Sequence, residues 1–481
     1  MTIVGREKER SLLTEIFESK KPEFLAIYGR RRVGKTYLVR EFFKDNEVYF
    51  ELNGIKDATK SSQLKNFSTV YSDTFLRGDR IPPPKDWDDA LDILRKEIEK
   101  KPESTKVIIF FDELPWLASR KSGFLEALDL FWNRYMSSRK NIILVICGSA
   151  AEWMIKKIVS HKGGLHNRLT RPPLNLKPFT LKQTEQYLES MDVHLERKQV
   201  VDLYMALGGV AYYLNLVPKG KSSSEIISEL FFTKQAPLLS EFRNLFDSLY
   251  DNPQKHIEVI KVLAQKKQGL TQTKIFNKVK SMSPGGGAVL VLEELENCGF
   301  IYRVHDFGKK KKDARYRLID GFTLFYLKWV EGQGEFGEYY WIRKRGSASY
   351  NTWAGYAFEN LCFLHYREIL LALGIAVIAE AKSGWRYLPP KDGADDGVQI
   401  DLLIDRADKC INLCEIKFYD DEYIISKSYA KVLRKKKNCF KEKTGTKKTL
   451  FTTMITTYGV KKDQYYLDAV DGQLTMDALF K

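Results

Sequence analysis

Five runs of apolar residues punctuate the first 180 positions, at 24–28, 48–52, 106–111, 142–147 and 174–179. Segments of helical periodicity separate them. Val, Ile and Phe dominate the third and fourth runs, as in strands buried on both faces. Strands alternating with helices predict a mostly parallel sheet covered by helices over residues 1–180. The stretch 181–253 shows helical patterns only.

Residues 254–330 read as three helices (256–264, 272–279 and 288–298) and two short strands (300–304 and 315–319). That is the order of a winged helix. The tip between the strands carries Lys309, Lys310, Lys311 and Lys312. Residues 331–350 are richer in Gly and charge and read as a connector. Helices and strands return over 351–481, which predicts a further α/β domain. A length of 481 residues agrees with several domains, at roughly 100–200 residues each.

Lys and Arg total 78 against 62 Asp and Glu, a net charge of +16, which favours an anionic partner such as DNA. The longest apolar stretch runs from Ile369 to Ala379, eleven residues, short of the ~20 that span a bilayer. No membrane residence is expected. The start lacks a charged-then-apolar pattern, so a cytoplasmic location is expected. The six cysteines include no C-x-x-C pair and read as reduced thiols.

Chemistry enters at Gly29-Arg30-Arg31-Arg32-Val33-Gly34-Lys35-Thr36. It fits G-x-x-x-x-G-K-[ST] between an apolar run and the helical stretch 37–43. Its glycines let backbone N–H groups curl around phosphates at the positive end of the next helix. Lys35 is expected at the β- and γ-phosphates, and Thr36 on Mg²⁺. The run 107–111 ends in Asp112 and Glu113. Asp112 fits a Mg²⁺ ligand, direct or through water. Glu113 fits the base that orients the attacking water. Acids that merely close a strand explain one carboxylate, not its pairing with a phosphate loop. No N-K-x-D guanine reader is present, so ATP is expected rather than GTP.

Together with Val4-Gly5-Arg6-Glu7, these motifs resemble the AAA+-type ATPases of the archaeal/bacterial ATPase family, to which the triple-arginine loop is especially similar. The resemblance implies that Val4 and Gly5 lie near the adenine, that Ser149 is a sensor of the γ-phosphate, and that Arg168 is a finger. A finger acting in trans implies a homo-oligomer. Asn167 stands where the family has Gly before that arginine. Gly208-Gly209-Val210-Ala211 resembles the family's Gly-Gly-x-Pro turn in a helical lid, with Ala211 for the Pro and no sensor arginine. Ser149 also fits the N-cap of a helix over 150–159, and Arg168 a salt-bridged surface arginine.

Near the C-terminus, 399–405 and 411–418 read as strands joined by a short link. A hairpin centred near Asp408 places Asp401 opposite Glu415, with Cβ atoms about 4.5–5.5 Å apart. Glu415 and Lys417 point to one face. Two such carboxylates repel unless a divalent cation bridges them. Mg²⁺ held there would activate water for phosphodiester attack, and Lys417 would orient that water or stabilise developing charge. Asp401 and Glu415-Ile416-Lys417 resemble the PD-(D/E)xK nuclease superfamily, as found in the C-terminal domain of ATPases of the family above. The resemblance implies that Glu359, in the helical stretch 356–371, is a further metal or water ligand. A simple Asp–Lys salt bridge, and a Glu359 placed by a helix dipole, are the plainer readings.

From Lys427 to Lys448 ten basic residues face one acid, Glu442, which is +9 of the +16. A basic helix beside a phosphodiester site would hold a DNA backbone; a solvated helix face has the same composition. The third helix of the winged helix carries Glu293, Glu294 and Glu296 and no Lys or Arg. Such a helix repels phosphates, so it is expected to pack on another domain or to serve in a spacer. The lysine tip fits either a phosphate contact or a solvated loop.

The expected fold class is α/β. A P-loop ATPase domain (1–180), a helical lid (181–253), a winged helix (254–330), a connector (331–350) and a restriction-endonuclease-like α/β domain (351–481) follow in order. ATP and Mg²⁺ are the expected cofactors. The nucleotide cycle would control a Mg²⁺-dependent DNA nuclease. The alternative is a signal-transducing ATPase switch whose C-terminal domain only binds DNA or a protein partner.

Overall fold

The apolar runs near the start of the chain pair into one parallel sheet in the computed structural model, which describes residues 3–159, 164–250, 252–283, 285–333, 336–337, 339–389 and 397–481. Its strands are β1 (Glu23–Tyr28), β2 (Val48–Asn53), β3 (Val107–Asp112), β4 (Ile142–Gly148) and β5 (Leu174–Asn175), in the order β2-β3-β4-β1-β5. Every residue of β3 and β4 is buried, which is why these two read as continuous apolar runs. Edge strand β2 alternates buried and partly exposed residues instead. Phe111, Phe124 and Trp132 pack on one face of the sheet, and Leu25, Phe110 and Val145 on the other. β5 is shorter than the run 174–179: its pairing with β1 ends at Asn175, and Pro178 has no N–H with which to resume a ladder. Because β4 lies between β1 and β3, the loops that leave all three C-terminal ends emerge side by side. Ligands of open α/β sheets bind at such an edge.

The chain divides into two units, Met1–Pro178 and Phe179–Lys481. The second begins with the helices Leu181–Ser190, Arg197–Leu207, Ala211–Leu214, Ser223–Phe231 and Glu241–Leu249. Thr180 with Gln183, and Ser222 with Glu225, form capping boxes that start two of them. Next come helix Gln254–Ala264, β6 (Leu270–Thr271), helices Gln272–Phe276 and Gly286–Asn297, β7 (Ile301–Val304) and β8 (Arg315–Leu318). The three strands pair antiparallel in the order β6-β8-β7. Two acids of helix Gly286–Asn297 are engaged inside this module, where Glu294 bonds His256 and Glu296 accepts from Arg303 at 2.7 Å, while Glu293 is exposed. It is β8 and the loop between β7 and β8 that dock on the C-terminal sheet, where Phe307 N–H donates to the Gly384 carbonyl at 2.9 Å.

The last part of the chain forms a second sheet from β9 (Ala379–Tyr387), β10 (Val398–Arg406), β11 (Cys410–Lys417), β12 (Thr449–Thr456) and β13 (Gly472–Leu474), in the order β13-β12-β11-β10-β9. β9, β10 and β11 run antiparallel, while β11, β12 and β13 run parallel. Helix Lys427–Thr444 makes the crossover from β11 to β12 and buries Phe440 against Trp385, Leu403 and Leu413. Among the described residues, no helix is long and apolar enough to cross a membrane.

Helix Ala348–Leu364 starts earlier than the stretch 356–371, because Ser347 accepts the Tyr350 N–H at 3.2 Å and caps it. It ends at Leu364, and His365 marks the break before helix Tyr366–Ala372. His365 is buried, and its Nε2 accepts the Leu181 N–H at 2.9 Å, satisfying a donor in the first turn of helix Leu181–Ser190. Burial pushes its imidazole down to about 4. The folded state therefore takes up this proton later than the unfolded chain, whose imidazole titrates near 6.5. Stability is expected to fall as pH drops through that window, by up to about 3 kcal/mol. Urea unfolding at a series of pH values checks it. His365→Gln should remove most of that loss, and an unchanged pH dependence in the variant would clear His365 of it.

Candidate functional site

The loop after β1 leads into helix Lys35–Phe43. Gly29 lies at φ 146°, and a Cβ there would stand 2.3 Å from the Leu176 carbonyl oxygen. Gly34 caps the helix at φ 94°. Both positions demand glycine, and the turn presents the first-turn N–H groups, as an anion requires. Arg30 is buried, whereas Arg31 and Arg32 are partly exposed. Lys35 is buried, and its Nζ donates to the carbonyl oxygens of Gly29 and Arg30, each at 3.0 Å. The ammonium group thus sits within the turn of the loop. Arg6 donates to the Val33 carbonyl at 3.2 Å, which ties Val4-Gly5-Arg6 to the same loop. Reading the sequence singled out Val4 and Gly5 but passed over Arg6, a buried arginine inside the same motif.

The carboxylates come from β3. Thr36 Oγ1 donates to Asp112 Oδ2 at 2.6 Å, joining the two halves of the site. Asp112 Oδ1 accepts the Glu113 N–H at 2.9 Å. Glu113 is left-handed at φ 46°, a conformation that costs of order 1–3 kcal/mol in a residue with a Cβ and that clusters at functional sites. Its Oε2 accepts from the Ser149 N–H at 3.1 Å and the Ser149 hydroxyl at 2.8 Å. Ser149 is not the N-cap of the next helix: Ala150 holds that position, before helix Ala151–Met154. Arg168 does not join the cluster. It donates to Asp129 at 3.2 Å, with both side chains partly exposed, as a salt-bridged surface arginine would.

Two hard oxygens, from Thr36 and Asp112, meet beside a glycine loop at a helix N-terminus. This donor set suits Mg²⁺, and the loop suits the phosphates of a nucleotide. A separate carboxylate, Glu113, is held by its own partners.

A second cluster lies in the C-terminal sheet. β10 and β11 pair from Asp405↔Ile411 to Leu402↔Cys414, a register centred on residue 408 that sets Asp401 across from Glu415 at the next step. Asp401 Oδ2 accepts the Ile416 N–H at 3.0 Å. Burial, and then the charges of Glu415 and Glu359, push Asp401 up to about 7. Burial would also raise Glu415, but Lys417 and Lys436 outweigh it and hold Glu415 below its ordinary value. Glu415 Oε1 accepts from Lys417 at 2.9 Å and from the Tyr429 hydroxyl at 2.8 Å. Its Oε2 accepts from Lys436 at 2.6 Å.

Tyr429 and Lys436 were not foreseen as site residues. Their signal is the seven-residue spacing, two turns along one helix, which puts both on one face. Lys436 hides inside Arg434-Lys435-Lys436-Lys437, which reads as a uniform basic run. Arg434 pairs with Asp468 at 3.4 Å and Lys437 with Asp471 at 3.0 Å, so Arg434, Lys436 and Lys437 are all engaged within the unit. Glu359 is also placed differently from expectation. It lies well inside helix Ala348–Leu364, and its oxygens accept from Lys267 at 3.3 Å and Arg317 at 3.0 Å. Among the described residues, no group of three or more His, Cys, Asp or Glu is arranged to hold a metal ion. The oxygen pair Asp401 and Glu415 still has the chemistry that Mg²⁺ favours.

Residues 3–217 match a family described as an ATPase domain predominantly from Archaea. An uncharacterized protein of Methanocaldococcus jannaschii is 24% identical over 450 residues, covering 90% of this chain and 92% of its own. The structure of a Walker-type ATPase of Pyrococcus abyssi aligns with a TM-score of 0.50 at 16% identity, over 68% of this chain and 96% of that one. The parallel sheet, the phosphate loop and the family match over residues 3–217 together support a P-loop ATPase that hydrolyses ATP.

Proposed function

We propose that the ATP cycle of the first unit governs a metal-dependent phosphodiester-cleaving site built on Asp401, Glu415 and Lys417. In this reading Lys35 and the loop N–H groups bind the phosphates, and Thr36 and Asp112 hold Mg²⁺. Glu113 orients the attacking water, and Ser149 positions Glu113. Residues 254–330 are a winged helix that carries the C-terminal sheet.

The observation that supports the nuclease half is the facing pair across β10 and β11. Asp401 and Glu415 are close enough for each charge to act on the other. They would hold the cation, whose contribution is Lewis acidity and an activated water. Lys417 would donate to the attacked phosphate, and Tyr429 and Lys436 would fix the orientation of Glu415. Glu359 acts at one remove, through its charge.

One observation favours the switch reading. Both oxygens of Glu415 are engaged by Lys417, Tyr429 and Lys436, and the two lysines already neutralise it. A domain built that way would bind DNA or a protein without cutting. Incubation of duplex, single-stranded and branched DNA with Mg²⁺ or Mn²⁺, with and without ATP, separates the two. Cleavage supports the nuclease, and binding without cleavage supports the switch.

Arg168 enters the ATPase reading as a finger acting in trans, released from Asp129 when a second chain docks. Hydrolysis per chain is then expected to rise with protein concentration. Arg168→Ala should lower kcat with little change in ATP affinity, because a finger acts on transition-state charge. A rate per chain that stays flat over a dilution series would mark a monomeric engine.

A further inference from the structure

We infer that the wing between β7 and β8 and the C-terminal half of helix Lys427–Thr444 form one cationic surface for the backbone of duplex nucleic acid. The inference rests on the proposed reading of the C-terminal unit as one that handles nucleic acid, and it extends that reading to a module whose third helix is unfit for DNA.

The base of the wing is fixed to the helix. The Phe307 ring lies 5.4 Å from Phe440, which itself packs on Trp385 at 5.0 Å. Asp306 bridges to Gly384 in β9, and Arg315 holds Asp306 through Nε at 2.9 Å. From this anchored base, exposed Lys309, Lys310 and Lys312 follow within five residues of Phe307. On the helix side, exposed Lys441 and Lys443 flank Phe440, and exposed Lys447 lies just beyond the helix. Lys443 also covers the Tyr387 ring at 4.5 Å. Among the described residues, Lys309, Lys310, Lys312, Lys441 and Lys447 hold no ion pair. The exposed acids close to them in sequence are Asp313 and Glu442.

Elsewhere in the basic segment, Lys427 and Lys431 are exposed near the start of the helix, and four other cations are paired. Arg434, Lys436, Lys437 and Lys448 pair with Asp468, Glu415, Asp471 and Asp405. Where the wing meets the helix, the exposed lysines of the two elements thus stand side by side.

Three features select a nucleic-acid backbone as the occupant. Lysines are mobile point charges that neutralise phosphates and carry no base code. Helix Gly286–Asn297 exposes Glu293 and has no basic residue, so the module cannot place it in a groove. Tyr429, Lys436 and Lys443 lie at seven-residue steps, about 10 Å each, along one stripe of the helix. A linear polyanion bound at the wing and laid along that stripe runs toward Glu415. Binding of this kind is tolerant of sequence and steep in salt.

The test uses the full chain and a labelled duplex of mixed sequence, titrated over a range of salt concentrations. The triple variant Lys309→Ala/Lys310→Ala/Lys312→Ala should bind more weakly, with the slope of log K against log salt reduced by about 2 to 3, at about 0.9 per lost contact. ATP hydrolysis should be unchanged, which reports folding. The matching triple arginine variant should restore the slope. A wing variant with wild-type affinity and slope overturns the inference, as does a wild type that binds no duplex. Capture of polyglutamate in place of duplex, lost in the same variant, points to an acidic protein partner and also overturns it. A wild type that binds with these slopes yet never cuts removes the nuclease and leaves the surface standing.

Discussion

Glu113→Gln is expected to bind ATP as tightly as the wild type and to hydrolyse it about 10²- to 10⁴-fold more slowly, the range set by loss of a positioned general base. The substitution keeps size and shape. Its amide oxygen still accepts from the Ser149 N–H and hydroxyl, which now hold Glu113 Oε2 at 3.1 and 2.8 Å. Asp112 is untouched, because it bonds the Glu113 backbone and the Thr36 hydroxyl rather than the Glu113 carboxylate. Binding and turnover should therefore separate cleanly. Lys35→Ala should lose both, since it deletes the phosphate cation and the two bonds that brace Gly29 and Arg30. Ser149→Ala keeps one of the two donors to Glu113 and should fall between the wild type and Glu113→Gln in rate. Phosphate release, measured beside titration with a fluorescent ATP analogue, checks all three. Equal hydrolysis by the wild type and Glu113→Gln would take Glu113 out of the mechanism.

What the sequence disclosed, and what it hid, follows from the range of the interactions involved. β3 and β4 were legible because burial on both faces imposes unbroken apolar runs. The β10–β11 register was legible because a short link fixes the centre of a hairpin, and with it the facing of Asp401 and Glu415. The bond between Glu359 and Arg317 was not legible, because Arg317 lies 42 residues away on another module, a distance no local pattern spans. Arg168 and Asp129 are 39 residues apart and hid their pairing in the same way. Composition correctly located the basic helix but could not sort its charges. Lys436 turns to Glu415, while Lys441 stays exposed, and only the packing of Phe440 decides which side of the helix is which.

Asp401→Asn is expected to abolish Mg²⁺-dependent cleavage while leaving ATP hydrolysis near wild type and thermal stability unchanged or higher. The stability part follows from the cluster itself. Asp401 is driven up to about 7 by burial and by the charges of Glu415 and Glu359, so its ionised form is unfavourable where it stands. An amide of the same shape still accepts the Ile416 N–H and ends the repulsion. In the proposed nuclease this carboxylate trades stability for activity, which pull in opposite directions. Glu415→Gln should behave differently. It also ends cleavage, but it removes the charge that Lys417 and Lys436 share, leaving two cations facing each other and lowering stability. Lys417→Ala should lose cleavage yet still bind Mn²⁺, since an ammonium group is not a ligand. Thermal melts of the three variants, read beside cleavage, ATPase and Mn²⁺ titration, give each a separate signature. If Asp401→Asn cuts DNA as fast as the wild type, the carboxylate pair is a structural one.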